Sequence, residues 1–149
     1  DKPDEHPVYA GVADFDGYRT EQAKWLQKEI SSPDYQSARY RIVIFHIPAF
    51  SDSDKHGSTE VTDKWGPILN KANVDLVING HTHKFERIDK NQGMNNFPIL
   101  ITGKKQILET KVTSEQLQCI VKNTDGEIVD QFILPKQKPI RKNLFQRSK

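Results

Sequence analysis

Val74-Asp75-Leu76-Val77-Ile78-Asn79-Gly80-His81-Thr82-His83-Lys84-Phe85-Glu86-Arg87 carries an apolar run straight into a glycine and two histidines. A short, continuous, β-branched run closed by glycine reads as a strand buried on both faces. The same pattern stands upstream in Arg41-Ile42-Val43-Ile44-Phe45-His46, bounded by Pro48 and ending in a histidine. Between the two runs, Val61, Trp65, Ile68, Leu69 and Ala72 fall on one face of a helix expected from about residue 59 to 72. Strand, helix, strand with two continuously apolar strands predicts an α/β sheet covered by helices.

Working outward, Thr20 is the expected N-cap of an earlier helix that continues through Trp25, Leu26, Glu29 and Ile30. Ser31, Ser32 and Pro33 stop it. Residues 1–18, broken by Pro3, Pro7, Gly11 and Gly17, read as irregular. Trp25 and Trp65 lie at helical core spacing and are expected to pack. Towards the C-terminus, short alternating segments at 85–88, 98–102, 107–112, 117–121 and 128–134 suggest antiparallel strands. Asp125-Gly126 is the expected hairpin turn between the last two. Cys119 falls at a strand position, and a single cysteine makes neither an intrachain disulfide nor a thiolate metal site. No internal domain boundary is visible.

The chemistry lies in the histidines. His46 ends one strand, and His81 and His83 follow the end of the next, so adjacent strands would aim three imidazoles at one region. Ligand sites of open α/β sheets gather there, outside the carboxyl ends of the strands. Gly80 is expected to provide the sharp turn that lets His81 and His83 converge. Imidazoles suit zinc, iron and manganese, with carboxylates needed to complete a mixed site. One histidine at a strand end is more often a core or surface residue than a ligand. Gly-His-x-His directly after a buried strand, with a third strand-terminal histidine upstream, is a far more specific pattern.

Gly80-His81-Thr82-His83 resembles the last metal motif, GHxH, of the calcineurin-like metallophosphoesterases. Phe85-Glu86-Arg87 is similar to the aromatic-Glu-Arg of purple acid phosphatase-like members. Val43-Ile44-Phe45-His46 resembles the preceding VxxH motif, and Gln22-Ala23-Lys24-Trp25-Leu26 the helix before that strand. The resemblance runs in order from about Asp14 to Leu134. It implies the C-terminal half of a metallophosphoesterase β-sandwich flanked by helices over residues 1–135, with a run of antiparallel strands at its C-terminus, and a basic tail over 136–149. It further implies that His46 and His81 ligate one metal and His83 the other metal of a dinuclear pair. The two divalent or trivalent ions, of the iron, zinc or manganese class, would activate water against a phosphate ester. His56, in the loop after His46, stands where related phosphatases often place a substrate-facing histidine; a solvated loop residue is the equal alternative.

The family's upstream motifs, Asp-x-His, Gly-Asp-x-x-Asp/Tyr and Gly-Asn-His-Asp/Glu, have no counterpart here. The chain holds no Gly-Asp and no Gly-Asn-His, and Asp54-Lys55-His56 follows no strand. Three imidazoles without a bridging carboxylate do not offset the repulsion between two cations. The isolated chain is therefore expected to bind one ion weakly or none and to be inactive. Its partner would be the missing N-terminal half of the same domain, whose loss leaves sheet edges that predict dimerisation by strand exchange. The alternative function is a non-catalytic binding or assembly module. Asp52 to Asp63 loosely imitates a calcium loop, but a strand precedes it and histidine fills the fifth position, which argues against calcium.

Composition bounds the partners. With 35% hydrophobic and 28% charged residues and a mean hydropathy of −0.72, the chain is of globular type, and its apolar runs are far below spanning length. The net charge of +2 hides six basic and no acidic residues in 136–149; the remaining body carries 16 basic against 20 acidic residues. A nucleic-acid face on the body is thus not expected, and the tail reads as solvated. The chain opens at Asp1 without a methionine or signal peptide, which reads as a processed or excised piece. Family analogy favours a periplasmic or extracellular setting.

Overall fold

The structure, a computed structural model, describes residues 8, 12, 14–51, 57–91 and 93–136. Helix α1 (Phe15–Glu29) begins five residues before the expected cap at Thr20, inside a stretch read from sequence as irregular. Asp14 caps it, its carboxylate accepting the Gly17 N–H at 2.8 Å, and Asp16 adds negative charge to the first turn. Gly17 permits this cap, because a Cβ there would lie 2.1 Å from Asp14 Oδ2. Thr20 instead sits within the helix and donates its hydroxyl to the Asp16 carbonyl at 2.8 Å. A short helix α2 (Pro33–Ser37), capped by Ser32, follows where only a helix stop was expected.

Strand β1 (Ile42–Ile44), helix α3 (Ser58–Lys71) and strand β2 (Leu76–Asn79) form the expected strand–helix–strand unit. β1 and β2 are parallel, with Ile42 opposite Leu76 and Ile44 opposite Ile78. α3 buries Val61, Ile68 and Leu69, as their spacing predicts. Strands β3 (Glu86–Ile88) and β4 (Ile99–Ile101) complete a four-stranded sheet of order β1-β2-β4-β3. Here the antiparallel expectation is corrected: β4 runs parallel to β2, and only β3, paired with β4, is antiparallel. Alternation reports which faces are apolar and not strand direction. The chain leaves β2, crosses to the far edge as β3, and returns as β4 into the slot beside β2.

β5 (Gln106–Val112), β6 (Gln116–Asn123) and β7 (Ile128–Pro135) make the expected antiparallel sheet. The Asn123 carbonyl accepts the Gly126 N–H at 3.1 Å, and Gly126 has φ +87°, so Asp125-Gly126 turns the last hairpin. Two cores explain the continuous apolar runs. Val77, Ile99 and Ile101 face the helices with Leu26, Ile68, Leu69 and Phe97. Leu76 and Leu100, on the opposite face, meet Leu117, Cys119 and Val121 of the second sheet. The result is a β-sandwich with helices on one outer face.

β1 departs from the buried reading. Among the described residues it pairs only with β2, and Ile44 is 72% exposed. Burial of a strand needs neighbours on both edges, and a local apolar run reports nothing about the second one. Trp25, beside the same edge, is 61% exposed and not packed as expected. Trp65 does pack, its ring edge-on to Phe45 at 5.3 Å and its indole N–H donating to the Arg19 carbonyl at 3.1 Å. No helix among the described residues is long and apolar enough to cross a membrane. The basic tail beyond Lys136 lies outside the described residues.

Cys119 is fully buried in β6, and burial pushes its thiol up to about 11 against a slight opposing effect of Thr110. The thiolate is the reactive form. Alkylation at pH 8 is therefore expected only after unfolding, with a rate that rises with added urea; rapid labelling of the native chain would contradict this packing. The raised value also sets a sign for stability. Below the ordinary value of 9.0 the thiol is protonated in both states, and between about 9 and 11 the unfolded chain loses its proton first, so stability falls as pH rises.

Candidate metal centre

β1 and β2 are parallel neighbours, so their carboxyl ends lie side by side. The ladder continues past the strands: the Phe45 N–H donates to the Ile78 carbonyl at 3.2 Å, and the Gly80 N–H to the His46 carbonyl at 3.1 Å. Asn79, a residue the sequence reading did not single out, adds a side-chain bond from Nδ2 to the Phe45 carbonyl at 2.8 Å. These bonds place His46 directly across from the start of the histidine turn.

His81 Nδ1 stands 3.3 Å from His46 Nε2, with ring centroids 5.0 Å apart and planes at 85°. The contact serves as a hydrogen bond when one ring donates. It also matches two adjacent positions around one ion, because nitrogens about 2.0–2.1 Å from a tetrahedral metal lie about 3.3–3.4 Å apart. His46 is exposed and His81 half-buried. The pair thus fits part of a coordination sphere. Among the described residues, no group of three or more histidine, cysteine, aspartate or glutamate side chains is arranged to hold a metal. His83 is exposed and is not gathered into such a group, and His56 lies outside the described residues.

The turn itself differs from expectation. The left-handed residues are His81 (φ 71°) and His83 (φ 60°), and Gly80 is not among the positive-φ glycines. Two non-glycine residues in this region within three positions store backbone strain, which persists only where surroundings hold it. Thr82 knits the turn, its N–H donating to the Gly80 carbonyl at 2.9 Å and its hydroxyl to the Lys84 carbonyl at 3.1 Å.

The residues after the turn are structural ties. Phe85 packs against the core between the sheets. Glu86 accepts the Ser51 hydroxyl at 3.2 Å, linking the segment after His81 and His83 to the one after His46. Arg87 Nη1 donates to both Asp130 oxygens at 2.9 and 2.8 Å, and its guanidinium lies 5.5 Å from the Phe132 ring centroid, joining the two sheets.

The profile of the calcineurin-like phosphoesterase family matches residues 4–85. Purple acid phosphatase 18 of Arabidopsis thaliana is 32% identical over 85 residues, which is 55% of this chain and 19% of that protein. The chain thus spans a small part of the relative it matches. Among solved structures, the fold superimposes on "GAP50 the anchor in the inner membrane complex of Plasmodium" with a TM-score of 0.66, at 18% identity, over 79% of this chain and 43% of that one. It also superimposes on purple acid phosphatase PPD1 from yellow lupin seeds with a TM-score of 0.63, at 16% identity, over 77% of this chain and 28% of that one. The chain belongs to the calcineurin-like phosphoesterase family and is related within it to the purple acid phosphatases.

Proposed function

We propose that this chain is the C-terminal part of a metal-dependent phosphoesterase domain spanning residues 1–135, with 136–149 as a solvated basic tail. The 3.3 Å approach of His46 to His81 at the ends of neighbouring parallel strands carries the reading. In it, His46 and His81 hold one ion and His83 the second, with the remaining ligands supplied from outside this chain. When bound, such a pair of ions clamps a phosphate ester and supplies an activated water or hydroxide. The protein's own contribution is to fix the two imidazoles through the Gly80–His46 and Asn79–Phe45 bonds, and to tie the two ligand segments together through Ser51 and Glu86.

The open edge of β1 is the seam in this proposal. Exposed Ile44 lies on one face of it and exposed Trp25 on the other, beside a cleft of about 160 Å³ whose walls include Leu26, Val43 and Trp65. A further strand of the same domain, carrying the bridging carboxylate, would pair with β1 there and cover both side chains. The test is to express this chain alone and joined to the segment encoded directly upstream of Asp1, and to assay p-nitrophenyl phosphate with zinc, manganese or iron. Turnover by the joined protein that is lost in His81→Ala, with none from the isolated chain, is the expected result. Turnover by the 149-residue chain alone would overturn the proposal.

A second reading is a non-catalytic assembly module. It draws on the fold likeness to a protein described as an anchor in the inner membrane complex of Plasmodium. A joined protein that binds metal through the histidines but turns over no phosphate ester would support it.

A further inference from the structure

We infer that the segment leaving β4, Thr102-Gly103-Lys104, is the clamp that holds the histidine turn in its strained shape, and that Gly103 is its positioning residue. This rests on the reading of His81 and His83 as metal ligands. The segment grips the turn at both ends. Thr102 donates its N–H at 2.9 Å and its hydroxyl at 3.2 Å to the Asn79 carbonyl, just before Gly80. Lys104 donates its N–H to the His83 carbonyl at 3.2 Å.

Between these grips, Gly103 presses backbone to backbone on the chain that follows His83. A Cβ at this position would lie 2.9 Å from Phe85 N and 3.1 Å from Lys84 C. Real Cβ atoms do not sit so close to main chain, so any side chain here must push the Lys84–Phe85 segment away. Gly103 has no positive φ, so the requirement for glycine comes from close approach and not from backbone conformation. Its own N–H donates to Gln106 Oε1 at 2.6 Å, fixing the segment against the start of β5.

The arrangement answers what holds His81 and His83 at φ 71° and 60°. Strained residues persist only when neighbours over-determine them, and the clamp supplies bonds on either side of both. Released, the turn would relax toward ordinary backbone angles and move the His83 ring and, through Gly80, the His81 ring. Ligand geometry is then a property that Gly103 sets.

The experiment uses the full chain with three substitutions. Gly103→Ala adds the clashing methyl. Thr102→Val keeps shape and removes the hydroxyl bond to the Asn79 carbonyl while its N–H bond stays, which covers the case in which Gly103→Ala fails to fold. Gly126→Ala strains a distant hairpin turn at φ +87° and controls for a general loss of stability. Imidazole nitrogen resonances are recorded without metal, and zinc affinity is measured by titration of the joined protein carrying the same substitutions. Gly103→Ala is expected to shift the His81 and His83 resonances and to weaken zinc binding by about tenfold or more, as loss of a ligand-orienting contact does. Thr102→Val is expected to change both in the same direction by less, and Gly126→Ala to leave both as in the parent. Unchanged histidine resonances in Gly103→Ala, or in Thr102→Val where Gly103→Ala does not fold, would overturn the clamp whatever the zinc result. Zinc binding by the joined protein that Gly103→Ala leaves unchanged, with resonances still shifted, would instead overturn the metal reading and leave the clamp.

Discussion

Replacing His81 by alanine is expected to weaken zinc binding by the joined protein by more than about 100-fold, beyond the about 10–100-fold typical of losing an outer contact. His46→Ala should do the same. Each substitution leaves a single imidazole where two nitrogens now stand 3.3 Å apart, and one exposed histidine has no advantage over any other on the surface. His83→Ala should leave the first ion's affinity within a few-fold of the parent, because His83 is not grouped with the pair. Isothermal titration at pH 7 decides the matter. Equal, small losses in all three variants would mean that the His46–His81 contact is a hydrogen bond between neighbours and nothing more.

The largest expected loss of stability is that of Phe97→Ala, at about 3–5 kcal/mol. Phe97 is among the largest fully buried side chains, 1% exposed, and meets the Phe50 ring at 6.2 Å between centroids. It packs in the core shared by α1, α3 and the helix-facing side of β2 and β4. Removing the ring leaves a cavity among rigidly held strands, and the loss is a large fraction of the about 5–15 kcal/mol that stabilises an ordinary domain. Urea denaturation should show a marked fall in midpoint. A loss under about 1 kcal/mol would place Phe97 in a site that collapses freely and contradict the packing described.

Much of this fold was readable from local pattern. The residue pairs that alternate across β2 and β4 explain why Leu76 and Val77, or Ile99 and Leu100, could be apolar side by side: each strand has helices on one face and a second sheet on the other. What stayed hidden was relational. Strand direction is not encoded in alternation, so the antiparallel reading holds for β4 against β3 but missed its parallel pairing with β2. Exposure is not encoded in apolarity, so Ile44 and Trp25 were expected to be buried although the edge beside them is open. The start of α1 was missed because Gly17 reads as a breaker, whereas its missing side chain is what admits the Asp14 cap.

The site was legible as residue types and not as geometry. Gly-His-x-His marked the place, but the turn is made by the histidines and not by Gly80. Thr102, Gly103 and Lys104, which hold that turn, lie some twenty residues further on and carry no motif; only a structure shows that β4 returns beside β2 and delivers them there. Similarly, Glu86 and Arg87 stood out by resemblance, while their partners Ser51 and Asp130 had no signal in the sequence.

Titrating zinc into the joined protein while following the nitrogen resonances of its imidazoles tests the pairing of His46 with His81 most directly. His46 and His81 are expected to respond together on one binding curve, and His83 on that of the second ion. Resonances of His46 and His81 that stay fixed, or that respond on separate curves, would contradict the assignment of the pair to a single ion.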